Sequence, residues 1–317
     1  MKFTVAICTY NGQDRIPEVL DGLQQQTNPE GIEWEVVVVD NNSSDRTAEV
    51  VSQYSKNWRG DSQLRYVFEA TQGAGYARQR AIQEAKSDLI GFLDDDNLPK
   101  ENWLVEAYRF GQEHPQAGVY GGIIHPKLDV PLPPYFNKIK SLLAINNPGS
   151  QPFRYQRNDK PRKVPAGAGC VVRQQAWKER VPKQLQLQGR DEKNKKTLLI
   201  GNEETEAFFY IQNSDWEIWH NPAMEIWHHL PSKRLEKEYL LKLSRGFGLA
   251  NHKLRMVRLY PWQRPLMILL TPLYLLSDGY KLASYYLRYR HEFDSDLTKA
   301  CELQARIGRF MSPFVRA

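Results

Sequence analysis

An α/β fold, with a mostly parallel central sheet and helices on both faces, is predicted by three observations. Short β-branched apolar runs alternate with helical patterns along the first third of the chain. The runs are apolar throughout rather than at every second residue, as strands buried on both faces are. Each run also stops abruptly at polar residues, and in open α/β sheets such strand ends face the ligand crevice.

The elements follow in order. Phe3 to Cys8 reads as a strand, Thr9-Tyr-Asn-Gly12 as a turn, and Ile16 to Leu23 as a helix. Trp34 to Val39 is a second strand, ending in Asp40-Asn-Asn-Ser-Ser-Asp45. A helix opens at Asp45-Arg-Thr-Ala and carries Val50, Val51 and Tyr54. Leu64 to Phe68, a helix over Gly73 to Ala85, and the strand Leu89 to Leu93 come next. That last strand runs into Asp94, Asp95 and Asp96. Adjacent carboxylates repel, and their oxygens suit a Mg²⁺ or Mn²⁺ ion carrying substrate phosphates, so a metal-phosphate site is expected there. The alternative is a solvated acidic turn capping a helix that starts near Pro99. Parallel strands place all their C-terminal ends together, which brings Thr9 to Asn11, Asp40 and Asp94 to Asp96 to one edge. A dinucleotide-binding domain needs Gly-x-Gly-x-x-Gly after the first strand, and Thr9 to Gln13 lacks it.

Further on, Trp103, Leu104 and Ala107 follow helical spacing, and Val119 to Ile124 is a strand. Residues 126 to 165 read as an insertion with one short helix, Phe136 to Ile145, able to shape an acceptor pocket. Ala166 to Arg173 combines small residues with a strand. After a charged loop, Gly189 to Lys196, Leu198 to Ile200 leads into Glu203, Glu204 and Glu206 ahead of an aromatic helical run, where the helix dipole favours acids. Trp216 to Trp219 reads as an edge strand, followed by Glu225-Ile-Trp-His-His-Leu-Pro231.

Apolar residues make up 41% of the chain and charged residues 25%, which excludes disorder as the default. Cys8, Cys170 and Cys301 have neither pairwise nor C-x-x-C spacing, against a disulfide framework or a structural zinc site and in favour of a reducing compartment. The N-terminal residues read as a strand rather than a signal peptide, so a cytoplasmic location is expected. From Pro231 onward 16 Lys and Arg face 7 Asp and Glu, which points to phosphates or an anionic membrane surface.

Val5-Ala-Ile-Cys-Thr-Tyr-Asn11, Val37-Val-Val-Asp-Asn-Asn-Ser-Ser-Asp45, Gly75-Tyr-Ala-Arg-Gln79 and Phe92-Leu-Asp-Asp-Asp96 occur in that order, each at a predicted strand end or helix start. Together they resemble the motifs of family 2 inverting glycosyltransferases, over roughly residues 1 to 245. The resemblance implies a GT-A-like nucleotide-sugar transferase fold, dependent on Mn²⁺ or Mg²⁺, that moves a sugar from a nucleoside diphosphate, UDP by expectation, to an acceptor hydroxyl. By position, Thr9 and Tyr10 would flank the base, with Asn11 beside them, and Asp40 would bind the base or ribose. Arg78 would reach the nucleotide. Asp94 matches the ribose-side acid and Asp96 the metal ligand, with Asp95 between them. The family opens a helix with a Glu-Asp pair whose second acid is the catalytic base; Glu204 holds that position as a glutamate, with Glu203 as the alternative. His228, ahead of Pro231 and Arg234, matches a metal-coordinating His, and Arg234 and Arg245 would approach the diphosphate. Ala6 to Gly12 and Gly246-Phe-Gly248 further resemble enzymes of cyanobacterial hormogonium polysaccharide synthesis.

On this reading residues 1–245 form the catalytic domain and 246–317 a helical, membrane-associating region. Leu266 to Leu276 is too short to span a bilayer and is interrupted at Thr271-Pro272, but Tyr260, Trp262, Tyr274, Tyr280, Tyr285 and Tyr286 flank it as in an interfacial segment. The expected partners are a nucleotide-sugar donor, a glycan or lipid-linked glycan acceptor and the inner face of the cell membrane, with no nucleic acid; a homodimer stays open. A catalytically inactive nucleotide-sugar-binding protein and a membrane-bound scaffold are the competing readings.

Overall fold

The computed structural model describes residues 1–59, 62–189 and 201–315. Its first third alternates as the apolar runs predict: β1 (Phe3–Thr9), α1 (Ile16–Gln24), β2 (Trp34–Asp40), α2 (Thr47–Lys56), β3 (Ser62–Phe68), α3 (Ala74–Glu84) and β4 (Leu89–Asp94). β5 (Asn97–Pro99), α4 (Trp103–Glu113), β6 (Ala117–Leu128), α5 (Phe136–Ile139), β7 (Phe153–Arg154), β8 (Val171–Arg173), α6 (Gln174–Arg180), α7 (Glu203–Gln212) and β9 (Glu217–Leu230) complete the sheet and its cover. Four helices follow: α8 (Lys237–Leu249), α9 (Asn251–Arg258), α10 (Arg264–Tyr289) and α11 (Leu297–Met311).

Among the described residues one sheet forms, in the order β3-β2-β1-β4-β8-β6-β9-β5, with β7 also paired to β9. β3, β2, β1 and β4 are parallel, and the second half is mixed, with β8 antiparallel to both β4 and β6. Alternation within each strand builds two cores. Val5, Ile7, Val36 and Val38 pack towards α1 and α4, while Ala6, Val37, Val39 and Phe92 pack towards α3, α6 and α7. The register pairs Thr9 with Asp40 and Cys8 with Asp94, so the polar ends of three strands finish level at one edge.

Several local expectations are corrected. The chain beyond the acidic triplet is first a strand, because Asn97–Pro99 pairs antiparallel with Ile226 to His228, and the helix waits until Trp103. The helix expected over Phe136 to Ile145 is only one turn, continued by a 3₁₀ turn and stopped by the left-handed Ala144 (φ 59°). Ala166 to Cys170 is loop, and α6 follows β8 at once. Trp216 to Trp219 is no edge strand, since Trp219 lies in β9 between β6 and β7. Asn221 to Met224 bulge from β9 without ending it, and Gly122 is needed opposite, where a Cβ would lie 1.6 Å from the Met224 carbonyl oxygen. Pro272 does not break α10, a helix of 26 residues, and the Thr271 hydroxyl donates back to the Met267 carbonyl at 3.0 Å. α8 runs through the junction drawn at residue 245. The charged stretch from 190 and Leu198 to Ile200 lie outside the described residues.

Candidate active site

A cavity of about 560 Å³ opens at the level ends of β1 and β4. Cys8, Thr9 and Tyr10 line it from β1 and its turn, Arg78 from α3, and Asp94 to Asp96 from the triplet. Glu203 and Glu204 come from the first turn of α7, and His228 and Arg234 from the end of β9 and just beyond. The insertion contributes Ser141 to Asn146, and α8 adds Tyr239, Leu243 and Phe247.

The three aspartates differ in their partners. Asp95 is a tether: it accepts the Thr9 hydroxyl at 2.6 Å and both Nε and Nη2 of Arg15 at 2.8 Å. Arg15 also donates to the Tyr10 carbonyl, fixing the turn after β1. Asp96 takes Arg234 Nη2 on Oδ2 at 2.7 Å, and its Oδ1 lies 3.4 Å from His228 Nε2. Burial alone would raise the Asp96 pKa, but His228 and the Arg234 guanidinium hold it far below the usual carboxylate range. Asp94 opens onto the cavity, 3.3 Å from Arg78. The surrounding protein pushes its pKa up, Arg78 opposes this, and Asp96 and Glu204 add to the push.

The His228 tautomer follows from its partners. Nδ1 lies 3.0 Å from the Leu143 carbonyl, which can only accept, and Nε2 lies 2.8 Å from Arg234 Nη1, which can only donate. In the neutral imidazole the proton therefore sits on Nδ1, and Nε2 and the Asp96 carboxylate face the same guanidinium, which is then the charge that holds Asp96 down; His228 adds to it only when protonated on both nitrogens.

Across the cavity, Arg78 is buried over the ring of Phe92, with its Nε 4.0 Å from Glu203 and without a hydrogen-bond partner. Burial disfavours its charge, yet Asp94, Cys8, Glu204 and Glu203 keep it firmly protonated. Burial and the neighbouring Glu204 push Glu203 up to about 8, with Arg78 only partly offsetting them. Glu204 is less buried and reaches the cavity beside Gly167, where a Cβ would lie 2.8 Å from its Cγ. Glu206 plays no part in the cavity: its carboxylate accepts the backbone N–H groups of Gln186 and Leu187.

Three of the residues singled out in the sequence do not line the cavity. Asn11, left-handed at φ 48°, joins the turn after β1 to Ser43 and Ser44. Asp40 is buried and accepts from the Ser43 N–H and the Tyr66 hydroxyl. Arg245 turns away to the Met311 sulfur at 3.3 Å. Asn41 lines the cavity next to Asp40, clamping the following loop through the Gly73 N–H and the Thr71 carbonyl. Arg15 and Asn41 were missed: Asn41 lies inside the Val37 to Asp45 motif without having been given a role, and Arg15 carries no signal of its own.

The model of the glycosyl transferase family 2 matches residues 4–181, more than half of the chain. The chain belongs to this family. Among its relatives, the poly(ribitol-phosphate) beta-glucosyltransferase of Bacillus spizizenii is 32% identical over 114 residues, 36% of this chain and 18% of that one. The putative teichuronic acid biosynthesis glycosyltransferase TuaG of Bacillus subtilis is 30% identical over 115 residues, 36% of this chain and 43% of that one. The matched stretches thus span less than half the length of these relatives. The mannosyltransferase PcManGT from Pyrobaculum calidifontis, solved with GDP-Man and Mn²⁺, superposes with a TM-score of 0.58 at 19% identity, covering 97% of this chain and 86% of that one. At that identity the likeness is one of fold, and this family 2 chain has the same GT-A-like architecture with added C-terminal helices.

Proposed function

We propose that the protein transfers a sugar from a nucleoside diphosphate donor, UDP by inference, to an acceptor hydroxyl with inversion, in the synthesis of a cell-surface or extracellular polysaccharide. The observation that carries this reading is the pairing, across one cavity, of the Asp94 to Asp96 turn with the acidic first turn of α7, with Arg78 between them. Glu204 is the group that removes the acceptor proton. As the acceptor oxygen attacks the anomeric carbon, the bond from that carbon to the diphosphate breaks, and the proton ends on the Glu204 carboxylate. Glu203, pushed up to about 8, holds its own proton at neutral pH, which favours Glu204 as the base. Thr9, Tyr10 and Asn41 face the nucleotide, and Arg78 and Arg234 meet its phosphates.

The donor set also suits a divalent cation that substrate phosphates help to hold. Among the described residues no three His, Cys, Asp or Glu side chains gather to hold a metal alone. Asp96 and the Nε2 of His228 nevertheless face one cation already, and Mg²⁺ and Mn²⁺ commonly take one or two protein ligands plus substrate phosphates. The Leu143 carbonyl fixes the imidazole as an outer partner fixes a ligating histidine. Asp96 and His228 would hold the ion, which supplies neutralisation of the charge that builds on the departing diphosphate.

Residues 1–245 are taken as the catalytic unit and 246–317 as its appendage, working in the cytoplasm on a glycan or lipid-linked glycan. Polysaccharide synthesis is also in the names of relatives, the teichuronic acid enzyme among them. The narrower kinship to hormogonium enzymes rests on two short sequence segments. A panel of nucleotide sugars, scored with and without Mn²⁺ by thermal stabilisation of the protein, tests the donor. Stabilisation by one nucleotide family that grows with Mn²⁺ supports the proposal, whereas indifference to every donor would sink it.

A further inference from the structure

α10 leaves most of its circumference apolar and uncovered. Leu266, Leu269, Leu273, Leu276, Tyr280 and Leu287 are each more than half exposed, and Trp262, 75% exposed, stands just ahead of the first turn. At about 100° per residue, the exposed positions from Pro265 to Leu276 sweep roughly 240° of the helix. A single partner helix needs a stripe of about 100°, and a coiled-coil seam less. The bare arc is therefore too broad for one helix to cover and suits a continuous apolar medium.

Charge identifies that medium. Asp278 is the sole acid between Arg264 and Arg290, and it is buried, holding the Arg255 guanidinium of α9 at 2.9 and 3.2 Å. That pair anchors α10 to the protein and removes its one negative charge from the surface. Lys281, Arg288 and Arg290 remain exposed. A second copy laying one helix on this face would cover only a stripe of the arc and leave the rest of it uncovered. Among the described residues no helix is long and apolar enough to cross a membrane.

We propose that α10 lies in the interface of an anionic lipid surface, its leucine face in the headgroup and acyl boundary and Lys281, Arg288 and Arg290 on lipid phosphates. α9 packs on both α7 and the segment that closes α11, so the docking face is tied to the helix that opens with Glu203 and Glu204. The inference stands whether or not the sugar-transfer reading does.

The test is co-sedimentation of the full chain with vesicles of phosphatidylcholine alone or with phosphatidylglycerol added. Wild type should pellet with the anionic vesicles and weaken in high salt. The combined substitution Leu269→Glu, Leu273→Glu and Leu276→Glu should cut partitioning at least tenfold, and Lys281→Gln and Arg288→Gln roughly fivefold each. These side chains are exposed, and circular dichroism with the unfolding temperature confirms that each variant folds. Absence of wild-type binding to anionic vesicles overturns the proposal, as does unchanged binding by the triple variant or equal binding to neutral vesicles. A wild-type dimer in sedimentation equilibrium that the triple variant abolishes, without vesicle binding, would show instead that the face joins two copies.

Discussion

The two acidic walls of the cavity hold the same kind of side chain in opposite states. Asp96 is buried, but Arg234 and His228 complete its environment, and its pKa falls far below the usual range. Glu203 is as thoroughly buried, faces Glu204 from the same helix, has Arg78 no nearer than 4.0 Å, and is pushed up to about 8. Burial favours neither state alone. The fixed positive partner decides, so one wall keeps anions for cationic or phosphate-bound partners and the other keeps a proton next to the proposed base.

The comparison breaks most visibly at Glu204. Glu204→Gln should lower transfer by roughly 10²–10⁴-fold while leaving nucleotide affinity within a small factor, because the group acts on the acceptor proton. Turnover with a natural acceptor and calorimetric titration of the nucleotide measure the two sides. If Glu203→Gln gives the larger loss and Glu204→Gln a small one, the roles of the two glutamates are reversed.

Next in size is the opposite wall. Arg234→Met leaves the Asp96 carboxylate buried without its guanidinium and should cost about 3 kcal/mol in urea unfolding. Mn²⁺ should restore more stability to this variant than it adds to wild type, since Asp96 and His228 are then free to share the ion. An Arg234→Met protein as stable as wild type and indifferent to Mn²⁺ would mean that Asp96 needs no cation.

The pH dependence sharpens the contrast. The folded pKa of Asp96 is depressed, so its contribution is complete above the unfolded value near 4 and is lost as pH falls below it. The folded pKa of Glu203 is raised from 4.5 to about 8, so the native state binds the extra proton between those values and stability declines as pH rises through that window. Glu203→Gln should flatten this alkaline decline, gaining on wild type by about 3 kcal/mol between pH 5 and pH 8. Unfolding temperatures across that range decide it, and parallel curves for the two proteins would place the titration elsewhere.

These effects also mark what a sequence can express. β1 and β2 were legible because the residues of their apolar runs are buried, Cys8 alone being half-buried, which needs no knowledge of neighbours. The convergence of Thr9 and Asp94 followed from parallel pairing alone. Of β9 only Trp216 to Trp219 was read as a strand, with Glu225 to Pro231 as a following segment, because the bulge that carries the strand from one to the other exists only against Gly122 of β6. Arg15 was invisible because its partner Asp95 lies 80 positions away in the sequence. The acidic run at α7 was visible, but its division into the buried Glu203, the cavity-facing Glu204 and the loop-holding Glu206 depends on how the helix faces Arg78, Gly167 and the Gln186 and Leu187 backbone, all set by the tertiary fold.

The smallest effect is expected at Arg245, and it separates motif spacing from geometry. A basic residue shortly after His228 and Arg234 is well placed along the chain to meet a diphosphate, yet on α8 its guanidinium faces Met311 of α11 while Tyr239, Leu243 and Phe247 face the cavity. Arg245→Ala should therefore change nucleotide affinity less than twofold and stability by about 0.5 kcal/mol, as a surface substitution does. Arg78→Ala, at a side chain buried between Asp94 and Glu203, should lose far more of both. A tenfold loss of nucleotide binding in Arg245→Ala would require α8 to rotate when the donor binds, bringing Arg245 into the cavity and moving Phe247 out of it.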